Sequence, residues 1–183
     1  IRLKLIQPPK GATKMNAKTP QIYASITLAI FMFFSHSALG AEEFAKGHGA
    51  LQYFDAEGMS VTPMWVQVWV AVMVLTFAIG LFVFAWKQPI ARWAAGGFFL
   101  SASSGEIVFS ALGLPFLSGA IAIMHIVCWT PALVLLLTRR PFLDPEQGRW
   151  FRIWSAAITF VISFSFVFDI RDAVIYIAHF AAA

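Results

Sequence analysis

Residues 64–86 contain no Asp, Glu, Lys or Arg, and three more apolar runs follow them. The run 93–112 has Glu106 as its single charge, 116–137 has none, and 150–172 is uncharged from Ile153 to Phe168. A helix crossing about 30 Å of hydrocarbon needs about 20 predominantly apolar residues, and each run has that length. The expected fold class is therefore all-α: an integral membrane four-helix bundle of two antiparallel hairpins, following an N-terminal signal peptide or signal anchor.

Composition supports the same class. The chain is 60% hydrophobic and 12% charged, where soluble domains average about 45–50% and about 25%. Its 13 basic and 9 acidic side chains are too few to form the polar shell of a soluble fold. The net charge of +4 does not point to nucleic acid, because the basic residues sit in small groups between the apolar runs. That is the positive-inside pattern of membrane proteins and not a binding stripe.

Four regions precede or make up the membrane domain. Residues 1–14 carry Arg2, Lys4, Lys10 and Lys14 with Pro8 and Pro9 ahead of the first methionine, Met15, and read as an unstructured lead-in. Residues 15–40 have the form of a signal peptide: Lys18, an apolar stretch from Ile22 to Phe34, and Ala38-Leu39-Gly40 before a cleavage point at Ala41. An uncleaved extra span is the alternative. Residues 41–63 form an acidic external loop, with a short interfacial helix expected around Leu51, Tyr53 and Phe54. Residues 64–183 are the membrane domain, with an external C-terminal tail after the charges at Asp169, Arg171 and Asp172 interrupt the last span.

Charge placement gives the orientation. If the spans alternate, Lys87, Arg92, Arg139, Arg140, Arg149 and Arg152 fall on one side and only Lys46 and Arg171 on the other. The rule places the crowded side in the cytoplasm. The expected location is a bacterial-type inner membrane, with the mature N-terminus and the C-terminus on the periplasmic side.

An ionisable group at hydrocarbon depth costs about 2.5–3.5 kcal/mol on insertion scales and so marks a functional candidate. Glu106 lies roughly 10 Å, and His125 roughly 15 Å, below the turn at Gly113 to Pro115, counting about 1.5 Å per residue. The two can share a proton as the polar centre of the hairpin, or a hydrogen bond can simply tie its helices, as Ser101, Ser103, Ser104 and Ser110 would. Two courses are open at the end of the last span: Asp169, Arg171 and Asp172 form an interfacial cluster that ends it, or the helix continues to about Ile177 with Arg171 snorkelling inward toward Glu106. His125, Cys128 and Met124 have the chemistry of soft-metal ligands, but no third ligand from another helix is evident beyond Glu106. No metal or other cofactor is predicted. A haem between two histidines is disfavoured because His36, His48 and His179 lie far from the depth of His125. Cys128 is the one cysteine, which rules out an intrachain disulfide.

Glycine and serine in 93–112 and 116–137 let those two spans approach closely, so that hairpin is expected at the packed centre. The aromatic-rich first and last spans face lipid or a partner. Three functions fit. The first is a non-enzymatic accessory or assembly component of a larger membrane complex, with protein partner subunits or self-association. The second is a small oligomeric transporter or channel with Glu106 and His125 on its path. The third is a redox protein binding quinone or metal near His125.

Overall fold

The computed structural model describes residues 44–182, so the lead-in and the signal segment lie outside the described residues. Among the described residues the regular structure is all helical, with no strand. One short helix, α1 (Ala56–Ser60), precedes four long ones: α2 (Met64–Ile79), α3 (Pro89–Ala111), α4 (Ser118–Arg139) and α5 (Arg149–Ala181). A π-helical turn, Gly80–Phe84, extends α2. Three helices, Met64–Phe84, Ser118–Arg139 and Arg149–Ala181, are long and apolar enough to cross a membrane. α3 has 23 residues, but the glycines and serines between Gly96 and Gly105 lower its apolarity below theirs.

The helix ends follow from local chemistry. Pro63 precedes α2 and Pro89 opens α3, where the missing N–H costs nothing. α3 stops at Gly113, whose φ of +69° suits glycine. There the amide of Leu114 donates to Phe109 at 2.9 Å and that of Gly113 to Ser110 at 3.0 Å, a Schellman closure. α4 ends on Arg140, which is left-handed at φ 46°.

α5 takes the continuous one of the two courses open to it, and runs further than Ile177. Asp169, Arg171 and Asp172 do not interrupt it; the helix runs on for 33 residues, to Ala181, about 50 Å at 1.5 Å per residue. No glycine or proline lies between Arg149 and Ala181 to stop it, and a charge alone does not break helical hydrogen bonding.

α4 packs along both α3 and α5, while α2 packs on α5 and touches α3 chiefly through its π-turn. Gly97, Ser101, Gly105 and Phe109, four residues apart, form the buried stripe of α3. At Gly97 an added Cβ would lie 2.3 Å from the Cys128 carbonyl oxygen, so the two backbones touch there. Phe77, Phe98 and Trp129 stack beside this contact, with centroids 4.8 Å and 4.9 Å from Phe77. Such pairs contribute about 0.5–1.5 kcal/mol beyond area burial. Nearer the basic turns, the Trp154 ring covers Gly80, and its indole N–H donates to the Thr76 carbonyl at 2.9 Å. α2 and α5 are thereby locked at the start of the π-turn.

The polar segment before α2 folds back on the helices. The expected helix around Leu51, Tyr53 and Phe54 is absent; these residues form a turn and an isolated bridge between Lys46 and Tyr53, and the helix lies just after them. Asp55 caps α1 by accepting the Gly58 amide at 2.8 Å. The segment also caps α4. The amides of Ser118 and Gly119 donate to the carbonyls of Gln52 and Ala50, each at 2.9 Å. They satisfy two of the four N–H groups that a helix start leaves open.

Candidate polar centre between α4 and α5

His125 lies seven residues into α4, about 10 Å from its start. Its Nδ1 is 3.4 Å from Asp169 Oδ1 on α5. The two side chains are 18% and 14% exposed, so the pair is largely sheltered by helices. Trp129, one turn further along α4 and fully buried, stacks on the imidazole at 3.9 Å between centroids with the planes 19° apart. Its indole N–H donates to Ser101 Oγ on α3 at 3.2 Å, and the Ser101 hydroxyl donates to the Phe98 carbonyl at 2.8 Å. A continuous series of contacts therefore links α5, α4 and α3, and it fixes the plane of the imidazole.

Asp169 Oδ2 is buried without a hydrogen-bond partner among the described residues. A buried, unsatisfied acceptor costs about 1–3 kcal/mol, more when charged, so this oxygen is where a proton or a polar ligand would relieve most free energy. One turn outward on α5 stands Asp172, with Arg171 Nη1 3.6 Å from its Oδ1. Asp172 lies within electrostatic reach of Asp169 below and of His48 in the preceding loop. Two carboxylates, Asp172 and Asp169, therefore stand one turn apart on α5, between His48 of the loop and His125 of α4.

The other residues singled out in the sequence are dispersed. Glu106 is exposed and has no hydrogen bond or ion pair among the described residues; His125 is paired with Asp169 instead. The cause is rotational. Glu106 follows Gly105, which belongs to the buried stripe, and one residue turns the side chain by about 100°. Arg171 does not reach toward Glu106 but is 72% exposed beside Asp172. Met124 packs against Gly105, and Cys128 lines an open groove of about 370 Å³ between α3 and α4. Both face α3 while His125 faces α5, so the three do not converge. No group of three or more His, Cys, Asp and Glu residues is placed to hold a metal among the described residues. His179 sits near the end of α5 against Phe44 and Phe180.

Ser101 ties α3 to α4, as expected of it, through a partner, Trp129, that was not apparent from the sequence alone. The available signal was spacing: Trp129 is four residues from His125 on the same helix face, and Ser101 belongs to the four-residue stripe of α3.

The loop above the centre has its own charge pair. Lys46 and Asp55 form a hydrogen-bonded ion pair. Burial pushes the Asp55 carboxyl upward, but the Gly58 amide and Lys46 outweigh it and hold the group below its usual range. The hydrogen bond to Asp55 holds Lys46 above its own ordinary value.

No protein-family model, curated protein or solved structure matches this chain.

Proposed function

We propose that this is a four-span protein of a bacterial-type inner membrane in which His125 and Asp169 handle protons delivered from the outer side, serving a small transporter or channel and not enzymatic turnover. The observation that carries the reading is the imidazole–carboxylate contact with its Asp169 Oδ2 unpartnered among the described residues. A proton arriving on an Asp169 oxygen breaks its O–H bond and forms N–H at His125 when the two side chains close to hydrogen-bond distance. The imidazole suits this exchange because its two ring nitrogens can take up a proton at one position and release it at the other.

The fourth span is α3. The short connections at each end of α3 leave it no route except back alongside α4, and its 23 residues cover about 34 Å. Orientation rests on the basic turns, which the positive-inside rule assigns to the cytoplasm. Reporter fusions at Arg140 should then read as cytoplasmic, and those at Ala56 as external. A cytoplasmic signal at Ala56 removes the outward-facing access that the reading requires.

The direct test is proton flux. Full chain reconstituted in vesicles containing a trapped pH dye should dissipate an imposed pH gradient faster than protein-free vesicles. D169N should return the rate to the protein-free level while keeping its helical circular dichroism. Wild-type flux equal to that of empty vesicles, or flux unaffected by D169N, overturns the proposal.

A second reading is favoured by the exterior: Trp65, Trp93, Phe160 and Val167 are more than half exposed. Those surfaces suit an accessory or assembly component, with the His125–Asp169 contact serving only to tie helices. In that case D169N leaves both fold and partner binding intact.

A further inference from the structure

We infer that copies of this chain associate side by side, Glu106 of one copy pairing with Arg171 of the next. The inference rests on the membrane placement proposed above and not on proton handling. Glu106 stands on the open face of α3 next to Ile107, which is 71% exposed, and it has no partner among the described residues. The neighbouring Ser103 spends its hydroxyl on its own helix, donating to the Phe99 carbonyl at 2.7 Å. A carboxylate facing lipid is costly, and such residues are rare unless paired.

The complementary charge sits on α5. Arg171 is 72% exposed, and among the described residues its ion-pair partner is Asp172 at 3.6 Å. It is flanked by Ile170 and Val174, 54% and 61% exposed, so its surroundings are as apolar as those of Glu106. The two residues also share a depth. The hydrogen bond from Tyr176 to the Pro115 carbonyl aligns α5 with the α3–α4 turn. Arg171 then lies about 7.5 Å, and Glu106 about 10 Å, below that level, at 1.5 Å per residue. Among the described residues Glu106 and Arg171 do not pair within one chain, Arg171 lying against Asp172 instead, and a second copy beside the first in the membrane plane can supply the missing partner. Such a contact joins different patches of the two copies. It is heterologous, and it closes into a ring where the rotation permits. Guanidinium suits the role, because it pairs with carboxylate through two parallel hydrogen bonds.

The test uses the full chain in lipid nanodiscs of sizes that admit several copies, read by native mass spectrometry. Wild type should run as more than one copy. E106R and R171E should each weaken association about tenfold or more, as loss of a desolvated charge pair does, and the double variant E106R/R171E should restore it. A second measurement does not depend on charge reversal. In a C128A background, membranes holding a mixture of E106C and R171C chains should form disulfide dimers on oxidation, while membranes holding either chain alone should not. A single copy in the wild type, no change on either reversal, or cross-links only between like positions overturns the inference.

Discussion

Tyr176 on α5 donates its hydroxyl to the carbonyl of Pro115, in the turn between α3 and α4, at 2.7 Å. The ring is 2% exposed and packs on Phe109 and Phe180, with centroids 5.6 Å and 4.7 Å away. Its Cβ lies against Gly119, where an added methyl group would come within 2.5 Å. The α3–α4 turn and the adjoining ends of α3, α4 and α5 therefore meet at one residue.

Removal of the hydroxyl separates two contributions of that junction. Tyr176→Phe should destabilise the protein by about 0.5–1.5 kcal/mol, the usual net value of one hydrogen bond. Tyr176→Ala should cost about 3–5 kcal/mol, because it also leaves a cavity. Unfolding in graded denaturing detergent measures both, and equal effects of the two changes would contradict the assignment of a separate hydrogen-bond contribution.

The closest approach of α3 and α4 offers an internally controlled comparison. Gly97→Ala would place a methyl 2.3 Å from a backbone oxygen and should destabilise by about 1–3 kcal/mol, as overpacking does. Gly96→Ala meets nothing within 4 Å and should stabilise by about 0.5–1 kcal/mol, the helix preference of alanine over glycine. Thermal unfolding of the two variants in one detergent should show opposite signs.

The loop should dock on α4 with a pH dependence set by its ion pair. Asp55 titrates below its ordinary 3.8, so its contribution is present above that value and is lost as pH falls through the folded one. Lys46 titrates above 10.5, so its contribution is present below that value and is lost as pH rises through the folded one. Hydrogen exchange at Ser118 and Gly119, whose amides the loop accepts, should accelerate below about pH 4 and again above about pH 10.5. D55N should remove the acid limb.

How much of this could be read in advance depends on what each signal encodes. Pro63, Pro89 and Gly113 mark helix ends by backbone chemistry, and the structure places ends at all three. Asp169, Arg171 and Asp172 read as a boundary because charge disfavours hydrocarbon, yet hydrogen bonding carries α5 through them. His125 and Asp169 each stood out as polar groups in apolar surroundings, but their pairing did not. Depth along a hairpin can be counted from its turn, whereas rotation about the axis needs the facing side to be known. The four-residue spacing of Gly97, Ser101, Gly105 and Phe109 held that information and turns Glu106 away from α4.

The uninterrupted course of α5 makes it a single mechanical rod. At about 50 Å it exceeds a hydrocarbon layer of about 30 Å, and its two ends are gripped differently. Trp154 clasps the π-turn of α2 near one end, and Tyr176 clasps the α3–α4 turn near the other. A tilt that thinner lipid imposes on such a rod is resisted at both clasps and felt between them, where Asp169 faces His125. Bilayer thickness is therefore a physical input to the spacing of that pair.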